Sequence, residues 1–189
     1  MANQDSPFGL RAIGKIGQNR DNQGLAEFSI AASATAIYGQ DPVKAAATGT
    51  IEVAAAGDTL LGSLNGVFFT AADTSKPTFA NHLNASNTAT DIVGFVSSDP
   101  YERFEIQSDN TTASAQTDVF MNYDITYAAG SSHDYLSGVE LDDSTTSTAS
   151  GQLRVVGVSK DIKNNELSAS HVNFVVMINE HFLKGTAGV

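Results

Sequence analysis

The sequence predicts an all-β protein: an antiparallel β-barrel or β-sandwich of about ten short strands, with an irregular N-terminal arm and long loops. Three observations lead there. In residues 102–107, Glu102, Phe104 and Ile106 fall on one side of an extended chain and Arg103, Glu105 and Gln107 on the other, the period-two alternation of a strand. Only 16% of the 189 residues are charged, while Ala, Gly, Ser, Thr, Asn and Asp are plentiful, which suits strands and turns better than helices rich in Glu, Lys and Leu. Turn signals such as Gly39-Gln-Asp-Pro42 and Asp99-Pro100 cut the apolar runs into short pieces.

Residues 1–24 form the arm. Gly9, Gly14, Gly17 and Gly24 weaken both helix and strand there, yet Phe8, Leu10, Ile13 and Ile16 are apolar enough to dock on the body, a neighbour or a partner. The same residues also read as a first, irregular strand. Residues 25–189 form a single β-rich domain, with strands expected at 25–30, 34–38, 49–53 and 67–70. A polar excursion over 71–90 is long enough to be a functional or interfacial loop. Residues 91–107 read as a hairpin turning at Asp99-Pro100. After a polar connector at 108–116, Val119, Met121, Tyr123 and Ile125 share one face of the next strand.

Residues 131–150 read as loop, broken at 135–141, and Asp142-Asp-Ser-Thr-Thr-Ser-Thr-Ala-Ser150 is expected to be exposed and mobile. The closing strands, 152–159 and 172–179, carry the clearest pattern. Val172, Phe174, Val176 and Ile178 point one way, and Val175 and Met177 make the opposite face apolar too, which places the last strand inside a sheet rather than at its edge.

The formal net charge is -11 and the pI about 4.5, so the surface repels phosphate backbones and anionic membranes; neither nucleic acid nor membrane is an expected partner. The arm departs from this balance, holding Arg11, Lys15 and Arg20 against Asp5 and Asp21. Without cysteine there are no disulfides, thiolate metal sites or cysteine nucleophiles. No apolar run approaches the roughly 20 residues of a membrane span, and the first residues lack the basic-then-apolar layout of a signal peptide. A product made in the cytosol is expected.

Chemistry-bearing motifs do not assemble. Gly9-Leu-Arg-Ala-Ile-Gly-Lys15 has the glycine and lysine spacing of a phosphate loop, but Ile16 stands where a hydroxyl should hold the metal, and no strand precedes it. His82, His133, His171 and His181 lie far apart without metal-ligand spacing, and the acidic pairs Asp142-Asp143 and Glu102 with Glu105 lack the EF-hand pattern. Ser132-His133-Asp134 is adjacency rather than a triad, whose members meet through the fold. The sequons at Asn84 and Asn110 mark loops. No catalytic residues, metal or cofactor are expected, and the protein is read as not an enzyme.

Ser6-Pro-Phe-Gly-Leu-Arg11, Thr35-Ala-Ile-Tyr-Gly-Gln-Asp-Pro-Val43, Ala89-Thr-Asp-Ile-Val-Gly-Phe-Val96 with Asp99-Pro-Tyr-Glu-Arg-Phe-Glu-Ile-Gln107, Met121-Asn-Tyr-Asp124 and Gln152-Leu-Arg-Val-Val-Gly157 resemble a group of tailed-bacteriophage virion proteins of marine and cyanobacterial phages, taken to be capsid cement or decoration proteins. The similarity runs in order along nearly the whole chain. It implies a β-barrel or β-tulip-like body on the outer surface of the head, made in the host cytoplasm, with the major capsid protein as partner and a homo-oligomer, trimer or dimer, as the working unit.

On that footing the arm is the expected capsid clamp, with Pro7, Phe8, Leu10 and Ile13 as apolar contacts and Arg11, Lys15 and Arg20 facing acidic capsid surface. The alternative is a carbohydrate- or receptor-binding head-fibre or adhesin module, with glycan contacts from the 71–90 loop and Tyr101, Tyr123, Tyr127 and Tyr135.

Overall fold

A computed structural model of the chain describes residues 3–16, 24–109, 112–185 and 188–189. Among them are twelve strands: β1 Arg11–Lys15, β2 Ala26–Ser29, β3 Pro42–Ala45, β4 Ile51–Val53, β5 Gly62–Thr70, β6 Pro77–Ala80, β7 Val93–Ser97, β8 Glu102–Gln107, β9 Asn122–Thr126, β10 Glu140–Ser147, β11 Leu153–Val158 and β12 Asn173–Ile178. Helix among the described residues is limited to single 3₁₀ turns at Gln116–Asp118 and Phe182–Lys184.

The strands form two six-stranded antiparallel sheets. The first has the order β1-β8-β12-β11-β9-β10; the second runs β2-β7-β5-β3-β4, with β6 on β5. Neither closes into a barrel, although each curls back on itself: Ser108, just past β8, bridges Leu141 in the edge strand β10 of the first, and Ile30, just past β2, bridges Ile51 in β4 of the second. Each sheet wraps its own core. Phe104, Ile106, Tyr123, Ile125, Leu153, Val155, Phe174, Val176 and Ile178 fill the first; Ile30, Val43, Ile51, Leu61, Leu64, Val67, Ile92 and Val96 fill the second.

β12 lies inside the first sheet, as its two apolar faces require, with Phe174 against Ile106 and Val176 against Phe104. Burying each such side chain contributes about 1.5–3 kcal/mol relative to leaving it exposed. Val175 and Met177 on the opposite face are half-buried.

Several local expectations change. Residues 91–107 are not a hairpin: β7 pairs with β2 and β5, β8 with β1 and β12, so the turn at Asp99 carries the chain from one sheet to the other. Both edges of each strand are already taken, which leaves none for mutual pairing. Residues 34–38 make bridges at Ile37 rather than a strand, and the strand instead starts at Pro42, where a missing N–H is tolerated. The polar 71–90 excursion contains β6, paired with β5 from Val67 to Thr70. The stretch expected to be loose after Asp142 continues as β10 to Ser147; Ser144 donates to Asp142, and the Thr145 hydroxyl accepts from the Asp124 N–H, taking up the hydroxyls that made it look like loop. Within the arm expected to be irregular, β1 pairs with β8, with a register shift between Ala12 and Gly14.

Two glycines hold close approaches. A Cβ at Gly62 would meet the Ser97 carbonyl oxygen at 2.1 Å, where β5 and β7 touch. Gly9 combines φ +74° with Ser137 Cβ only 2.4 Å from where its own Cβ would stand, so the arm can enter the body there only as glycine.

Candidate docking surface and a buried donor cluster

The expected clamp residues divide into a root and a tip. Leu10 is fully buried in the first core; its N–H donates to Gln40 O at 2.9 Å and its carbonyl accepts from the Ser63 hydroxyl. It anchors the segment internally and presents nothing to a partner. Pro7 and Phe8 are half-buried, and the Arg11 guanidinium covers the Phe8 ring at 4.4 Å while pairing with Glu105. Lys15 pairs with Asp99 at 2.8 Å, and this bond, with the Tyr101 N–H, holds the Asp99 carboxyl below its ordinary range. Ile13 and Ile16, 46% and 48% exposed, form the tip on and just beyond an edge strand. Arg20 lies outside the described residues.

A second apolar surface went unrecognised in the sequence. Phe68, Phe79 and Phe95 line up across β5, β6 and β7 on the outside of the second sheet, with ring centroids 4.7 Å apart for Phe68 and Phe79 and 6.3 Å for Phe79 and Phe95. Phe79 is 74% exposed. Its only sequence signal was an aromatic residue two places after Pro77 in a stretch that looked like polar loop.

The fold also gathers Asp5, Glu140 and His171, whose ligand-type atoms all lie within 4.8 Å of one another. His171 Nδ1 is 3.9 Å from Asp5 Oδ1 and 4.0 Å from Glu140 Oε1. Asp5 is held through its neighbours: Gln107 Nε2 and Asn164 Nδ2 donate to Gln4 O at 3.0 and 2.7 Å, and the Ser6 N–H donates to Gln107 Oε1 at 2.8 Å. His171 sits at φ +58°, a left-handed conformation costly for a residue with a Cβ, and its carbonyl accepts from Asn164 Nδ2 at 2.7 Å. Glu140 opens β10. Burial first, then the carboxylates of Asp5, Asp109 and Asp143, push its carboxyl up to about 7. These residues are separated by well over a hundred positions at the extremes, and no spacing rule could have joined them.

Compared with protein-family models, with curated proteins and with solved structures, the chain has no match.

Other features are weaker as sites. A crevice of about 400 Å³ is lined by Lys44, Asp58, Thr59 and Phe182 among others, but Lys44 and Asp58 bond each other at 3.0 Å. Of the four tyrosines considered for glycan contact, Tyr123 is buried and Tyr135 stacks on His82 at 3.7 Å, which leaves Tyr101 and Tyr127 at the surface. Asn84 is exposed just before the turn at 85–86, and Asn110 lies outside the described residues. Among the described residues no helix is long and apolar enough to cross a membrane.

Two buried titratable groups mark the seam between the sheets. Burial raises Asp41 to about 6, against the Ser137 hydroxyl and Tyr38 N–H, which lower it. His181, bridged to Leu60, is lowered to about 4 by burial and by nearby Lys184.

Proposed function

We propose that the protein is a non-enzymatic structural component of a bacteriophage virion, which binds the outer surface of the head and bridges major capsid protein subunits. The resemblance along the chain supports this reading. The observation that carries it is the division of the amino-terminal segment into a root locked in the core at Leu10 and a tip that leaves Ile13 and Ile16 half-exposed at a sheet edge. A tether built this way transmits load: the tip docks, and the root passes the force into the sheet. An open strand edge also offers backbone N–H and C=O groups to a partner strand.

Binding that buries such a tip on assembled shells stabilises whichever shell state presents the matching surface, by mass action. Copies joined as a trimer or dimer would add weak contacts through avidity. The acidic remainder then faces outward and keeps particles apart.

Cosedimentation with expanded shells and with unexpanded precursor shells, both lacking the protein, tests the reading. Saturable binding that prefers the expanded shell and raises its disruption temperature is expected; absence of binding to either shell would sink it. Because Leu10 fills the core, truncating the segment would damage the body, so the tip is tested with the double substitution Ile13→Ser and Ile16→Ser. Its melting temperature should stay near that of the parent and its affinity for shells should fall by about tenfold or more; full occupancy would remove the tip from the interface.

A further inference from the structure

We propose that Asp5, Glu140 and His171 bind one divalent transition-metal ion of the zinc class, and that this ion staples the amino-terminal segment to the body. The inference stands independently of any role in a virion.

Geometry comes first. The two distances from His171 Nδ1, 3.9 and 4.0 Å, are too long for hydrogen bonds. They are the separations of atoms on opposite sides of a shared ion, since ligands at about 2.0–2.2 Å from the metal stand ~3.3 Å apart in a tetrahedral shell and ~4 Å apart at wide angles. The three ligand atoms lie within 4.8 Å of one another, and Asp5, with its side chain 67% exposed, is free to close in on the other two. Nδ1 of His171 and Oε1 of Glu140 are both closed off from solvent and both lack a hydrogen-bond partner. Two such atoms, one a nitrogen lone pair and one a carboxylate oxygen, converge on the same gap. A buried polar atom left unmatched is costly, more so when charged, and an ion between them satisfies both at once.

The surroundings are built for a cation. Glu140 shares its neighbourhood with the carboxylates of Asp5, Asp109 and Asp143, an excess of negative charge that favours a cation there. The positioning of the donors is fixed from outside the set: Asn164 Nδ2 donates both to the Gln4 carbonyl next to Asp5 and to the His171 carbonyl, so one side chain holds two of the three ligands in place. An imidazole nitrogen with two carboxylates suits zinc and its transition-metal neighbours; calcium and magnesium prefer all-oxygen shells. Three protein ligands leave further positions for water or a fourth donor.

Full-length protein stripped with a chelator and titrated with Zn²⁺, Mn²⁺ and Ca²⁺ in turn tests the assignment by calorimetry and thermal unfolding. One Zn²⁺ per chain is expected, with a raised melting temperature, slower hydrogen exchange at the Ser6 amide, weaker Mn²⁺ binding and no effect of Ca²⁺. Glu140→Gln is the deciding variant. It removes a repelling carboxylate, so the metal-free variant should unfold no earlier than the metal-free parent while Zn²⁺ affinity falls by about 100-fold. His171→Gln should lose a similar factor, and exposed His133→Gln should lose none. Zn²⁺ binding that is absent, unchanged by both ligand substitutions, or weaker than Ca²⁺ binding would overturn the proposal.

Discussion

Both sheets curl around a private core, yet their outer faces are finished in opposite ways. On the first, the polar side chains of Gln107 and Asn173 bond each other, and Gln107 also receives the Ser6 N–H and donates to Gln4 O, so the chain's own beginning covers them. On the second, Phe68, Phe79 and Phe95 cross three strands, and Phe79 is 74% exposed among the described residues. A polar face capped by backbone is complete in itself, whereas an aromatic face left open still has hydrophobic surface to bury. The lesson concerns where stability and where association reside: the covered sheet should respond to substitutions as folding losses, and the open one should respond chiefly in what it binds.

The largest expected effect lies at the root of the covering segment. Leu10→Ala removes a side chain that is 0% exposed in the first core, and should cost about 2–5 kcal/mol in denaturant unfolding. A loss under about 0.5 kcal/mol would mean the segment rests on the sheet without contributing to it.

A smaller, pH-dependent effect resides in the seam that joins the two sheets. Asp41 has its folded pKa raised from 3.8 to about 6, so the folded state holds the proton more tightly and stability from this group declines as pH rises through that interval. His181 has its folded pKa lowered from 6.5 to about 4, so its contribution is complete above 6.5 and is lost as pH falls toward 4. Between these limits the two slopes oppose. Asp41→Asn removes the first, and the stability of the variant relative to the parent should climb by on the order of 2 kcal/mol from pH 4 to pH 6.5. A difference that is flat across that range would show that Asp41 does not titrate in the folded seam.

How much of this was legible in the sequence depends on the distance over which each feature is encoded. Strand identity is local: alternation at Glu102–Gln107 and the double-faced apolar run at Asn173–Ile178 both became strands, and the interior position of the latter followed from Val175 and Met177. Sheet membership is not local. The turn at Asp99 looks the same whether its flanking strands pair with each other or, as here, with β1, β12, β2 and β5. The donor cluster draws Asp5, Glu140 and His171 from the arm, from β10 and from the approach to β12, and none has a neighbour in sequence that hints at the others. Leu10 was read as an outward anchor because an apolar residue among glycines carries no sign of which way it points; only the Ser137 and Gln40 contacts around Gly9 set its direction inward.

The smallest effect on folding is expected at Phe79, and its smallness is the point. The side chain is 74% exposed, so Phe79→Ser forfeits little more than its ring contacts with Phe68 and Phe95, together worth about 1 kcal/mol. Thermal unfolding should shift by a few degrees at most. Affinity for a partner docked on that face should fall far more, because an aromatic side chain buried at an interface centre is where binding energy concentrates. The ratio of the two losses, measured on one purified variant by melting and by shell cosedimentation, separates the faces: a ratio near one would place Phe79 with the structural residues, as the covered sheet would behave, and a binding loss several times the folding loss would make the phenylalanine row the second contact beside Ile13 and Ile16.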